Sequence, residues 1–516
     1  MSTAFYRDDD ETTAEETVWV LRCAAVYLAF PFLFFAFGWL NTGAQIILML
    51  LLTYGVAASW SGDKKNLLSL RKVWWGIFQR NRIAFAVLLV WCGLSAPAVL
   101  TQLNSMQSGG ESSPLKDLVF LQWPLHGTNH IPLVDNFFFY LPAAASGKIL
   151  GWTASQFFLI AWTYLGLILV WSLFSFAVQL DKLSGLRKLL AAVAFVLAGG
   201  WDFFGGLLNL SAENPKFVTH LESWASIGQF SSHTTLLFRT PREALAPWIV
   251  TSAALLVMER RAGQHILLLL AALSFLWSPL PSLGFIPFIV LLFFRDIVSR
   301  QWAFFSGANF FAAPAVILLG ILFYLSSSRD FSIHWQQSES NFARNITLLF
   351  LLEAVALSLP FFSQHWKAKV YLNQIDLPPS VPLLPIQKAF GWVAFIILAL
   401  LPFLTLNEST DFSSRASIPA ILILFFFWAR ILRREFTFQY TQLAVTAVCL
   451  LLGSGAALTE MYNSVSGTQV RTPVAEGKAD LGEISQTTLS RQKDGRPDSI
   501  FWRWIGPQSR LFSPLK

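Results

Sequence analysis

Charge is scarce in this chain and cysteine scarcer. Asp, Glu, Lys and Arg together make up 13% of 516 residues, against roughly a quarter in an ordinary soluble domain. So thin a charge cannot cover a water-facing surface of this size. The three cysteines, Cys23, Cys92 and Cys449, all fall inside apolar stretches. There they act as small hydrophobes, with neither metal-ligand spacing nor a disulfide framework. A Gly-x-x-x-x-Gly-Lys-Ser/Thr run is missing, which excludes a phosphate-cradling loop of that kind. Also missing is the weak ten-residue alternation of a membrane barrel. No internal repeat with matching interrupted helices is visible, which argues against a secondary transporter built from two halves. The start, with its acidic run from Asp8 to Glu16, lacks the basic residues and cleavage site of a signal peptide, so the first apolar stretch is expected to remain as a span.

What is present is apolar. Hydrophobic residues reach 54%, and the mean hydropathy is +0.53. A bilayer core needs about 20 apolar residues of helix to cross it, and stretches such as Thr153 to Leu180 and Ser306 to Leu325 supply that. The expected fold is therefore all-α, a polytopic transmembrane bundle of roughly thirteen spans starting near residues 18, 43, 83, 153, 187, 245, 265, 282, 306, 346, 388, 417 and 440.

Lysines and arginines set the expected orientation, because they gather on the cytoplasmic side of a membrane protein. Lys64, Lys65, Arg71, Lys72, Arg80 and Arg82 crowd one gap; Lys182, Arg187 and Lys188, then Arg260 and Arg261, Arg295 and Arg300, Lys367 and Lys369, and Arg430, Arg433 and Arg434 mark later ones. All of these gaps fit one face. The net charge of +7 is accounted for by this bias and is no sign of a nucleic-acid partner. The assignment makes residues 1–17 a cytoplasmic tail, 18–461 the membrane domain with outer loops 101–152 and 206–245, and 462–516 an extracytoplasmic tail. The last aromatics of the tail, Phe501, Trp502 and Trp504, are expected to fold back on the outer face.

One stretch resists the alternation. Phe137 to Leu150 is apolar but short and holds Pro142, Gly147 and Lys148, and counting it as a span would invert every later basic gap. It is read as a re-entrant or interfacial helix on the outer face.

The chemistry is sought in the two long outer loops. The first carries Glu111, Asp117, Trp123 and Asp135, the last followed at once by the run Phe137 to Tyr140. Carboxylates beside aromatics at a membrane surface suit a general base next to a sugar or lipid platform. Solvated loop charges explain Glu111 and Asp117 equally well, and a helix N-cap explains Asp135. The second loop carries His220, Trp224, His233, Arg239 and Arg242. A guanidinium offers paired donors that match phosphate oxygens, so this group suits a lipid-linked phosphate. The competing readings pair Arg242 with Glu243 or Glu222, or give the cations to lipid headgroups. The histidines lack metal spacing, and no metal site is expected. Within the spans, Glu353 is read as a proton-relay group or a buried partner of a neighbouring helix.

This order of features resembles the GT-C superfamily, the polytopic glycosyltransferases that use polyprenyl-phosphate sugars, and also uncharacterised bacterial integral membrane proteins. Glu111, Asp117 and Asp135 stand in the place of the acidic loop, and Phe137 to Trp152 in that of the interfacial helix. The chain departs from the pattern in having no adjacent acidic pair there. The resemblance implies an enzyme that moves a sugar from a polyprenyl-phosphate carrier to a glycan or lipid acceptor at the outer face of a bacterial inner (plasma) membrane. It makes Asp135 or Glu111 the base with Asp117 in support, Arg239, Arg242, His220 and His233 the carrier-phosphate site, and Trp123, Tyr140 and Trp224 the sugar or acceptor platform. Membrane lipid, the lipid-linked donor, the acceptor and envelope-biosynthesis proteins are the implied partners; a divalent metal is left open. The alternatives are a transporter or non-catalytic subunit of a cell-envelope polysaccharide system, or a polysaccharide polymerase or ligase.

Overall fold

The computed structural model describes residues 2–58, 70–104, 114–126, 131–209, 221–225, 227–328, 332–335, 342–370, 383–406, 411–433, 440–466 and 495–507. Among these, eight helices are long and apolar enough to cross a membrane. Helices are the structure such a composition must adopt, because hydrocarbon offers no partner to a backbone N–H or C=O and a helix satisfies nearly all of its own.

The chain runs up in α1 (Ser2–Trp39), back in α2 (Thr42–Ala58) and up again in α3 (Leu70–Asn104). The short α4 (Pro114–Phe120) and α5 (Leu141–Leu150) lead into α6 (Trp152–Val178), which runs down against α3. Next come α7 (Gly185–Leu197) and α8 (Asp202–Asn209), the hairpin of α9 (His233–Arg239) and α10 (Pro241–Met258), and that of α11 (Leu267–Trp277) and α12 (Pro279–Val298). A π-turn, Ala308–Ala312, opens α13 (Ala313–Leu325), and another, Phe350–Val355, joins α14 (Phe342–Leu349) to α15 (Ala356–Val370). The bundle closes with α16 (Pro385–Leu400), α17 (Asp411–Ala416), α18 (Ile418–Leu432) and α19 (Tyr440–Ser466). Two short strands, Ile333–Trp335 and Leu404–Leu406, pair antiparallel with Ile333 opposite Leu406.

Described basic residues from separate gaps meet at one end of the bundle. Glu16 pairs with Arg80, whose carbonyl accepts a 2.9 Å hydrogen bond from Lys188. Arg261 and Arg295 donate to the last carbonyls of α6 and α10, at Phe176 and Val257, over 3.1 and 2.8 Å. A cation there satisfies carbonyls that have no helical partner and sits at the negative end of the helix dipole.

At the opposite end, two loop-borne segments plunge into the bundle. In the first, the rings of Phe138 and Phe35 lie 4.7 Å apart, and Phe139 reaches Trp277, whose indole donates to Leu28. Leu28 lies about 16 Å along α1 from Trp39. The chain then returns through α5, turns at Gly151, where φ is +91° and glycine has no Cβ to strain, and enters α6. Phe137 to Leu150 thus enters the bundle as a short turn and helix whose first residues are buried. The second plunge had been assigned to an outer loop. It ends at the N-terminus of α9, where the rings of His233 and Trp248 lie 5.2 Å apart, and α9 climbs back beside α10.

A further correction concerns α11, expected as a full span. It has 11 residues, about 16 Å of rise, and folds back on α12 through Ser282 to Ser274 (3.4 Å) and Gln264 to the Leu292 carbonyl (3.0 Å). Ser278 and Pro279 end the helix, because proline supplies no N–H to continue it.

Residues 495–505 dock on the loop end. Gly495 N–H donates to Pro132 and Asn41 N–H to Ile505, and Phe501 is buried against Phe35 and Phe323. Phe501→Ala is expected to cost about 3 kcal/mol and to speed hydrogen exchange across 495–505. Protection equal to the parent chain would contradict the docking.

Candidate functional site

The first plunging segment delivers Asp135 and the second, through the α9–α10 turn, delivers Arg242 and Glu243. Pro241 starts α10, as a missing N–H costs nothing in a helix's first turn, and Glu243 lies at the positive end of that helix. Arg242 lies between two carboxylates, 3.7 Å from Asp135 and 3.6 Å from Glu243. Arg415, from α17, forms an ion pair with the other oxygen of Glu243, at 2.8 Å. Close packing seats α17, since a methyl group at Gly284 of α12 would overlap the Ala416 carbonyl.

The four charges are graded in exposure. The Glu243 side chain is 0% exposed, against 21% for Arg242, 23% for Asp135 and 25% for Arg415. Tyr140 and Tyr324 border them, and Tyr324 donates to the Leu276 carbonyl over 2.7 Å. The Arg242 contacts are ion pairs longer than hydrogen bonds, so they do not use up its donors. Chemically, this is a partly exposed carboxylate beside a partly exposed guanidinium over a sealed ionic floor.

The other residues singled out in the sequence are scattered. Arg239 is three positions from Arg242, but it ends α9 and faces α19, where it makes 3.1 and 2.9 Å hydrogen bonds to both oxygens of Glu460. His233 is fully buried among Phe195, Trp248 and Phe425, with Nδ1 2.8 Å from the Phe195 carbonyl, in the manner of a core histidine. Trp123 stacks near Trp39, donates to Leu118 and lies under the Lys148 ammonium. Asp117 is buried on α4, while Tyr140 joins the Arg242 group. Trp224 donates to Asp202. Glu111 and His220 lie outside the described residues. Arg415 and Glu460, which complete these pairings, were not singled out at all; each is a lone charge whose partner is far away in sequence.

A second buried group lies at the break between α7 and α8. Helix α7 stops at Leu197, and its carbonyls at Phe195, Val196 and Ala198 are met by the His233 ring, the Thr234 hydroxyl (2.6 Å) and the His233 N–H (3.1 Å). Beyond the break stand Asp202 on α8, Glu222 in the turn Leu221–Trp224, and Glu353 on the π-turn. All three are buried. Trp224 donates to Asp202 (3.2 Å), the Phe230 N–H to Glu353 (3.0 Å), and the Ser232 N–H and Thr235 hydroxyl to Glu222 (2.9 and 2.6 Å). Gly200 makes room, as a Cβ there would lie 2.7 Å from Glu353 Cγ.

Comparison with protein-family models, curated sequences and solved structures finds no match to this chain. Among the described residues no group of three or more His, Cys, Asp or Glu is arranged to hold a metal ion.

One outcome follows. Arg415→Ala strips Glu243 of its nearest partner and leaves a buried charge, expected to cost about 3 kcal/mol by thermal unfolding in lipid; a loss near zero would contradict the buried pairing.

Proposed function

We propose that this chain is a membrane glycosyltransferase that moves a sugar from a polyprenyl-phosphate carrier to a glycan or lipid acceptor. One observation carries the reading: Asp135 and Arg242, from separate loops, meet at 3.7 Å with both side chains partly exposed. A base and a phosphate partner side by side are what such a transfer needs. The acceptor hydroxyl attacks the anomeric carbon, its proton passes to Asp135, the bond from that carbon to the phosphate oxygen breaks, and the carrier phosphate leaves with the bonding electrons. Arg242 meets the charge that gathers on this phosphate, a contact stronger in the transition state than before it. Glu243 and Arg415 fix where Arg242 stands, and Tyr140 borders the acceptor side. The carrier's chain would remain in the bilayer.

The topology that accompanies this reading has about thirteen passes, with α11 and α12 counted as a returning pair. The basic end is cytoplasmic, and the Asp135 end faces outward across the plasma membrane.

The test is turnover of purified protein in lipid with polyprenyl-phosphate sugars and membrane acceptors. Asp135→Asn and Arg242→Ala should each lower turnover by about 100-fold or more with little change in Tm, whereas Arg239→Ala should act through stability. Full turnover in Asp135→Asn would remove it as base. Transport of an envelope glycan that survives both changes would replace the enzyme reading with a transporter.

A further inference from the structure

Buried carboxyls with no cation beside them cannot all be ionised, because like charges a few ångströms apart repel by about 4 kcal/mol even at an effective dielectric of 20. The group at the α7–α8 break is of this kind. The Trp201 N–H donates to the Leu352 carbonyl over 3.0 Å, which brings the next residue of each segment, Asp202 and Glu353, to one joint, and two buried carboxyls can share such a place only with a proton between them. The donors around the group each take one oxygen: Trp224 holds Asp202 Oδ1, Phe230 holds Glu353 Oε2, and Ser232 with Thr235 holds Glu222 Oε1. No donor reaches Asp202 Oδ2, Glu353 Oε1 or Glu222 Oε2. Glu222 is thus a third buried side chain with an unpartnered oxygen, held by the Ser232 N–H two residues from the Phe230 N–H that holds Glu353.

Charged and titratable groups on the surrounding elements point elsewhere. Arg344 of α14 donates to the Leu208 carbonyl at the end of α8, Arg239 of α9 holds Glu460 of α19, and the His233 ring bonds the Phe195 carbonyl. Among the described residues, the donors to Asp202, Glu222 and Glu353 are an indole, a hydroxyl and backbone N–H groups.

We propose that Asp202 and Glu353 form a proton-binding site at the helix break, one proton shared between them, with Glu222 the neighbouring acceptor. The ligand is a proton and not a metal cation. Its bond ties α8 to the π-turn Phe350–Val355, beside the backbone bond from Trp201 N–H to the Leu352 carbonyl (3.0 Å). When the proton leaves, two like charges face each other across that joint, so its occupancy controls how firmly the broken helix is held. None of this depends on sugar transfer at Asp135.

The test is infrared spectroscopy of the full chain in lipid at neutral pH. A protonated carboxyl shows a C=O stretch apart from that of carboxylates and shifts to lower frequency in D2O. The parent chain should show this band, unchanged by added sodium or calcium, and both Glu353→Gln and Asp202→Asn should lose it. A spectrum without a protonated-carboxyl band would overturn the proposal. So would a band that either folded variant retains in full, or one that sodium or calcium abolishes, since a metal cation would then occupy the site. The parent measurements need no variant, and sugar-transfer turnover enters none of them.

Discussion

A helix that stops inside an apolar bundle leaves carbonyls without water to take them, and this fold is organised around such a place. Helix α7 ends inside the bundle, and its last carbonyls are taken by His233 and Thr234 at the start of α9. For α9 to be there, the chain has to dive from the loop end to that depth. The break is therefore the reason that residues 227–233 lie inside the bundle and not on its surface. Once α9 climbs back, the turn into α10 is fixed, and with it the position of Arg242 and Glu243. The first plunge has a different basis: Phe138 and Phe139 are anchored by aromatic packing against Phe35 and Trp277. Asp135 meets Arg242 because both dives end close together.

The same scarcity of water grades the charges. Most described carboxylates within the bundle face a cation: Glu16 with Arg80, Glu460 with Arg239, Glu259 with Arg430, and Glu243 with Arg415. Such pairs satisfy charges that would be costly alone, and their partners lie on different helices, so they also fix which helices are neighbours. Two groups depart from this rule in opposite ways. The Asp135–Arg242 pair is long and partly open, leaving both side chains available to a ligand, while Asp202, Glu222 and Glu353 have no cation among the described residues. The two departures lie on segments that share the α9–α10 hairpin.

The helical membrane character was legible from length and hydropathy alone, since each physical cause acts within one segment. That Phe137 to Leu150 forms only a short helix was legible for the same reason: the apolar run is short and holds Pro142, Gly147 and Lys148. The second dive was hidden, because residues 221–232 are mixed in polarity and the carbonyls that call for them belong to α7. Arg239 and Arg242 looked like one clamp from their spacing, yet the turn at Thr240 and Pro241 sends them to different helices. Asp135 was picked out for its place before an aromatic run, but its pairing with Arg242 is a long-range fact that one sequence does not reveal. Glu353 stood out as a charge within an apolar stretch, whereas Asp202 and Glu222 looked like loop or helix-end acids until the fold brought them to it.

The central claim is that the meeting point of the two dives binds a lipid-borne phosphate. A structure of the chain in lipid with a non-transferable polyprenyl-phosphate analogue tests it most directly. The account predicts phosphate density within hydrogen-bonding distance of Arg242, with Asp135 on the side where an acceptor hydroxyl would approach. Density held elsewhere, or Arg242 still bridging Asp135 and Glu243 at saturating analogue, would contradict it.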